Sequence, residues 1–179
     1  MCSGMNEAEA KSIFEDWLQE HGGLILKVAR AYTNSAEDRE DLVQQILVQL
    51  GSSLPRFAGR SKPSTWIYRV ALNTALAHRR SDTRRRERSQ PLIEIESIPS
   101  EELDHAARLD NAEILERLYA AIRALPKLDA ALVMLQLDGL SYRETAEVLG
   151  ISEGNVGVKL NRARKALAEL MKEVVYESR

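Results

Sequence analysis

Apolar positions along the chain recur at three- and four-residue intervals, the spacing of helices that bury one face. In the first segment Phe14, Trp17, Leu18, Ile25, Val28, Ala29 and Tyr32 keep this spacing, and Gly22-Gly23 marks a weak point that divides the segment into two helices. Asn34 and Ser35 supply a turn. Glu37, Asp38, Glu40 and Asp41 then set negative charge at the positive end of the next helix, which directs Leu42, Ile46, Leu47 and Leu50 inward until Gly51 to Ser53 end it. Leu54 to Pro63 mixes Pro, Gly and Ser with Arg56, Arg60 and Lys62, the pattern of a basic loop. A third helix follows, capped by Ser64 or Thr65, with Trp66, Val70, Ala71 and Ala75 as its apolar stripe. Ser81 to Arg88 carries charge and no stripe. Pro91 to Ser100 alternates Ile and Glu as a strand would; with no partner strand elsewhere, it is expected to be an acidic linker.

A second helical unit starts near Leu109, with Ile114, Leu115, Leu118, Tyr119 and Ile122 on one face and a break at Leu125-Pro126. Asp129 to Leu137 forms a short apolar helix, closed by a turn at Asp138-Gly139. The expected fold is therefore all-α: two small helical domains, residues 1–88 and 109–179, joined by a linker over 89–108.

The end of the chain carries the most specific local pattern. Ser141-Tyr142-Arg143-Glu144 is a capping box: the serine hydroxyl accepts the Glu144 amide while the glutamate reaches back to the serine amide. Ala146 and Leu149 point inward, Gly150 takes the positive φ that turns the chain, Ile151 plugs the corner and Ser152 caps a new helix. On that helix Val156, Leu160, Ala163, Leu167 and Leu170 fall within one arc of about 80°. Asn155, Val158, Lys159, Asn161, Arg162 and Lys165 occupy the opposite side, and no acid occurs between Gly154 and Ala168. An apolar back and a front of amides and cations suit a recognition helix in a major groove; the alternative is an αα-hairpin with a solvated basic face.

Charge sharpens this picture. The 179 residues carry a formal net charge of -2, which conceals strong alternation. Residues 56 to 88 hold 10 basic and 2 acidic side chains, whereas residues 1 to 55 hold 4 and 9, and residues 89 to 119 hold 2 and 8. A basic block of that density is a footprint for polyphosphate, which the flanking acidic segments cannot share. The one cysteine, Cys2, excludes a disulfide framework or a Cys-rich zinc site, and His21, His78 and His105 are too scattered to suggest a metal. With no run of roughly 20 apolar residues and no basic leader, the chain is expected to work in the cytoplasm. No cofactor is called for.

Three motifs, in order, resemble the extracytoplasmic-function sigma factors, the two-domain minimal form of the bacterial sigma-70 family. Asp38-Arg39-Glu40-Asp41-Leu42-Val43-Gln44-Gln45-Ile46-Leu47 resembles region 2.2, and Thr65 to Asn73 resembles regions 2.3 and 2.4. Leu125-Pro126, Asp138 to Ala146 and Gly150 through Arg164 resemble region 4. The resemblance implies that core RNA polymerase binds through its β′ clamp to Asp38, Asp41, Gln44 and Gln45, and through its β flap. It implies that melted minus-10 DNA is read around Arg56, Phe57, Arg60, Lys62, Trp66, Arg69, Asn73 and Arg80. From the residues alone, a loop bent by Pro55, Gly59 and Pro63 would have Asn73 on the helix beneath it, and Trp66 would either stack on a base or pack in the core. Ser152, Asn155, Val158, Lys159, Asn161, Arg162 and Arg164 would meet the minus-35 duplex. An anti-sigma partner is also implied.

Departures from the family are visible as well. Gln45 stands where glutamate is usual, Asn155 where threonine is common, and Gly157 where a larger polar or basic residue is frequent, so the promoter sequence cannot be copied from relatives. Two other classes compete. A stand-alone helix-turn-helix regulator would bind duplex operators by itself but needs neither the acid-rich face of Asp38 to Gln49 nor the helix of Trp66 to Asn73. A helical hydrolase could draw on Asp38, Asp41 and His78 as ligands or acid-base groups, but nothing in the sequence fixes them together and no phosphate loop or nucleophile motif is present, so no enzymatic activity is expected.

Overall fold

The computed structural model describes residues 7–88 and 106–177, and side chains over 10–79 and 112–172. Seven α-helices follow one another: α1 (Glu7–Tyr32), α2 (Ala36–Ser53), α3 (Pro63–Arg88), α4 (Ala106–Ala124), α5 (Lys127–Leu137), α6 (Tyr142–Leu149) and α7 (Glu153–Glu177). A 3-10 turn, Leu54–Arg56, follows α2. The segment expected to form a linker lies, from 89 to 105, outside the described residues.

The expected division of the first segment does not occur. α1 runs unbroken through Gly22 and Gly23, neither of which has a positive φ. A glycine pair weakens a helix without ending it when the apolar residues on both sides pack against the same neighbours. Here Ile25, Val28, Ala29 and Tyr32 are buried beyond the pair, and Phe14, Trp17 and Leu18 pack partly buried before it.

Ser35 caps α2 by accepting the Asp38 amide at 3.2 Å, and Leu42, Ile46 and Leu50 are buried beneath it. α3 starts one position before the expected caps. Pro63 takes its first turn, where a missing N–H is harmless, and the Lys62 carbonyl accepts the Trp66 amide at 3.1 Å. Thr65 is instead buried. Ile67, Tyr68 and Leu72 are buried along with the expected Ala71 and Ala75, because α3 is covered by α1, α2 and α6 on several sides. An amphipathic stripe understates a helix enclosed in this way.

In the second unit Tyr119 and Ile122 enter the core, whereas Ile114 and Leu115, placed on the same face by spacing, stay exposed. α5 buries every residue from Asp129 to Leu135. Gly139 and Gly150 both take positive φ, at +78° and +68°, and so make the two turns that set α6 against α5 and α7.

The two units share a core. The buried set continues from Ile25 and Ala75 in the first to Tyr119, Met134 and Ala163 in the second. Polar contacts seam them: Lys27 pairs with Asp138, Arg30 with Glu116, the Tyr32 hydroxyl donates to the Lys127 carbonyl at 3.1 Å, Arg123 donates to the Arg30 carbonyl at 3.1 Å, and Lys62 and Arg69 reach α6. Burial pushes the Tyr32 hydroxyl well above its usual pKa, so it remains a donor. The Arg30 guanidinium also lies 4.7 Å from the centre of the Tyr119 ring.

Candidate nucleic-acid and polymerase interfaces

α2 presents Glu40, Asp41, Gln44, Gln45, Val48 and Gln49 to solvent, since its buried residues occupy the other side. Two of the four residues expected to form a free docking face are engaged. His78 on α3 reaches Asp38 Oδ1 with Nε2 at 2.7 Å and Gln45 Oε1 with Nδ1 at 3.1 Å. The link spans 40 and 33 residues of sequence, so helical spacing carried no sign of it. Asp41 and Gln44 remain exposed.

The placement of Asn73 also differs from expectation. It lines a groove of about 680 Å³ between α2 and α3 with Gln44, Gln45, Val48, Gln49, Thr74 and Ala77, and no residue of the basic loop borders that groove. Ten residues of helix separate Asn73 from Pro63, roughly 15 Å of rise, which carries its side chain away from the loop.

The basic loop is anchored by aromatic packing. Phe57 meets Trp17 of α1 edge-on with centroids 4.8 Å apart and Trp66 of α3 at 5.5 Å, and the two tryptophans meet at 5.6 Å. Three mutually edge-on rings hold the loop by geometry as well as by burial. Phe57 and Trp66 are therefore half-buried packing residues, and Arg56, Arg60 and Lys62 are exposed cations of the loop, with Gly59 at φ +67° shaping the bend.

Lys62 and Arg69 turn toward the second unit. Lys62 donates to Glu144 Oε1 at 2.6 Å, and Arg69 donates to the Glu147 carbonyl at 2.7 Å with the Glu147 carboxylate 3.7 Å away. Both glutamates lie on α6. The Lys62 bond, followed by the amide and hydroxyl of Ser141, holds the Glu144 carboxyl down at about 2, and the same bond raises the Lys62 ammonium. The Arg80 side chain lies outside the described residues.

α6 and α7 form the expected helix-turn-helix in detail. Both halves of the capping box are present: Glu144 N donates to Ser141 Oγ at 3.2 Å, and Ser141 N donates to Glu144 Oε2 at 2.9 Å. Ser152 Oγ accepts the Asn155 amide at 3.3 Å and opens α7. Val156, Leu160 and Ala163 are buried, whereas Asn155, Val158, Asn161, Arg162 and Arg164 are exposed and Lys159 is half-buried. Two neighbours escaped the sequence reading. Asp129, buried at the start of α5, lies 3.8 Å from the Arg162 guanidinium, and its only sequence signal was one acid inside an apolar run. The Tyr142 ring rests 3.4 Å from where a Cβ on Gly157 would stand, so it occupies the flank that the glycine leaves bare.

Among the described residues no group of His, Cys, Asp or Glu is placed to hold a metal ion, and no helix is long and apolar enough to cross a membrane. The faces that remain are an acid and amide surface on α2, a basic loop, and a basic helix set on an apolar core.

Comparison with known proteins assigns these faces to a family. Residues 17–85 match the pattern of sigma-70 region 2 and residues 115–167 that of sigma-70 region 4. The ECF RNA polymerase sigma-E factor of Escherichia coli strain K12 is 32% identical over 141 residues, covering 73% of this chain and 72% of that protein. The RNA polymerase sigma-H factor of Pseudomonas aeruginosa strain PAO1 is 29% identical over 165 residues, covering 87% and 82%. The ECF RNA polymerase sigma factor SigM of Mycobacterium tuberculosis strain H37Rv is 27% identical over 158 residues, covering 88% and 76%. The fold is shared with the sigma factor RpoE, solved with the anti-sigma factor NepR from Bartonella quintana, at a TM-score of 0.68 and 21% identity over 89% of this chain and 96% of that one. It is shared also with CnrH, solved with the cytosolic domain of CnrY, at a TM-score of 0.65 and 23% identity over 93% and 94%. With region 2 and region 4 patterns in order along one all-helical chain, and a relative above 30% identity over most of both lengths, the chain belongs to the extracytoplasmic-function sigma factors of the sigma-70 family.

Proposed function

We propose that this alternative sigma factor binds core RNA polymerase through the exposed part of α2, centred on Asp41 and Gln44, with Asp38 and Gln45 held in place behind them by His78. We assign residues 1–88 to core binding and minus-10 melting, 89–108 to the linker, and 109–179 to minus-35 recognition. Arg56 and Arg60 neutralise phosphates of the separated strand, and Asn73, with a donor and an acceptor on one side chain, addresses an unstacked base from the α2–α3 groove. Ser152, Asn155, Val158, Lys159, Asn161, Arg162 and Arg164 meet the duplex upstream. The protein acts by binding, in the bacterial cytoplasm, where an anti-sigma factor would hold it at the membrane or release it, with no catalytic step of its own.

Lys62 and Arg69 reach promoter DNA only after leaving Glu144 and Glu147, so the reading requires the two units to part on the promoter. An anti-sigma factor, as in the RpoE complex, would act by keeping them together or by covering α2.

The observation that carries the proposal is the basic, apolar-backed α7 in the same chain as an acid and amide face on α2. Run-off transcription with reconstituted core polymerase on a promoter library tests it. Transcripts that start at defined sites only when this chain is added support it; operator binding by the free chain with no core-dependent transcript would make it a stand-alone regulator.

A further inference from the structure

Val158 is 75% exposed, more than any other large apolar side chain among the described residues. It stands about 170° around α7 from the middle of the stripe formed by Val156, Leu160 and Ala163, at the centre of the outward face. Asn155, Asn161, Arg162 and Lys165 surround it, all exposed and all able to meet DNA by hydrogen bond or charge. Valine can do neither. A β-branched residue on a solvent-facing helix position contributes neither burial nor good propensity, so the fold does not explain it.

Gly154, one turn earlier on the same side, is equally unexplained by the fold. Its φ is not positive, and a Cβ added there would meet nothing within 4 Å. Neither backbone conformation nor internal packing demands a glycine, the poorest helix former after proline. Its effect is to leave the helix surface beside Val158 low, so that another surface can approach closely and meet the valine methyls first.

In the major groove the base edges offer one apolar group, the C5-methyl of thymine. We infer that Val158 is a specificity-determining residue that selects thymine at one position of the upstream element by packing against that methyl group, with Gly154 allowing the approach. This rests on the proposed role of α7 as the duplex reader.

The test uses the full chain bound to core polymerase. Upstream elements are selected from a randomised duplex library, and each thymine of the selected element is then replaced in turn by deoxyuridine, which lacks only the methyl group. At one position the wild type loses affinity by about fourfold, the factor for withdrawing one buried methyl group. Val158→Ala, which withdraws two methyl groups from that contact, shows a smaller difference between the two duplexes at that position and retains its response at every other. A selected element with no methyl-sensitive thymine, or sensitivity undiminished in Val158→Ala, overturns the inference while leaving α7 as the duplex reader. Selection that enriches no upstream sequence removes that role and the inference together.

Discussion

The Lys62 ammonium lies 2.6 Å from a carboxylate oxygen of Glu144, a residue 82 positions further along the chain that also closes the capping box of α6. One glutamate thus serves two structures: it satisfies the first amide of the helix-turn-helix and binds the loop that precedes α3. Anything that neutralises it acts on both.

The sign of the pH effect follows. The Glu144 carboxyl is held at about 2 against a usual value of 4.5, so its contribution is complete above about pH 4.5 and is lost as pH falls toward 2. Acidification from pH 5 to pH 3 should weaken the contact between α3 and α6 in the wild type. Glu144→Gln, which keeps a side-chain acceptor for the capping box and loses the charge, should show less dependence across that window. Urea unfolding at the two pH values decides: equal losses in both proteins would remove Glu144 as the source.

Asp41→Arg should weaken binding to core polymerase by reversing charge on an exposed position of α2, with melting temperature near that of the wild type. Asp38→Ala should lower both, because it also breaks the bond to His78. Co-purification with core, run beside thermal melts, separates the two. Undiminished core recovery with Asp41→Arg would move the docking face elsewhere.

Arg162→Ala should cost about 1 to 3 kcal/mol in binding of holoenzyme to the upstream element if Arg162 contacts bases, and should reduce the salt slope by about 1 if it contacts phosphate. Folding stability should also fall, since Arg162, itself 72% exposed, lies 3.8 Å from the buried Asp129 carboxylate, so thermal melts run beside the binding assay separate the two losses. Equal affinity and an equal salt slope would return Arg162 to the solvated surface.

Trp17→Ala removes two of the three ring contacts in the cluster with Phe57 and Trp66, each worth about 0.5 to 1.5 kcal/mol beyond the lost burial. The expected result is a lower melting temperature together with impaired promoter opening, seen as weaker permanganate reactivity of melted thymines, because the loop that carries Arg56 and Arg60 loses its anchor. Normal opening by a protein of reduced stability would show that the cluster serves the fold alone.

What could be read from the sequence shares one property: it depends on residues within about four positions of one another. The capping box at Ser141 and Glu144, the positive φ of Gly150 and the Ser152 cap are local, and all appear in the structure. The apolar back of α7 at Val156, Leu160 and Ala163 follows from helical period alone. Local rules failed where a distant partner decided the outcome. Gly22-Gly23 should interrupt a helix in isolation, yet packing of α1 on α2, α3 and α4 carries the helix through. Ile114 and Leu115 have core spacing, yet no described residue buries them. His78 clasps Asp38 and Gln45, and Lys62 and Arg69 pair with Glu144 and Glu147, through contacts spanning 33 to 82 residues. Local pattern therefore determined the helix-turn-helix, its caps at Ser141 and Ser152 and the basic face of α7. Only the tertiary structure decided which charges stay free, because a charge takes its partner by proximity in space, and the turns at Gly139 and Gly150 together with the shared core bring α6 to α3.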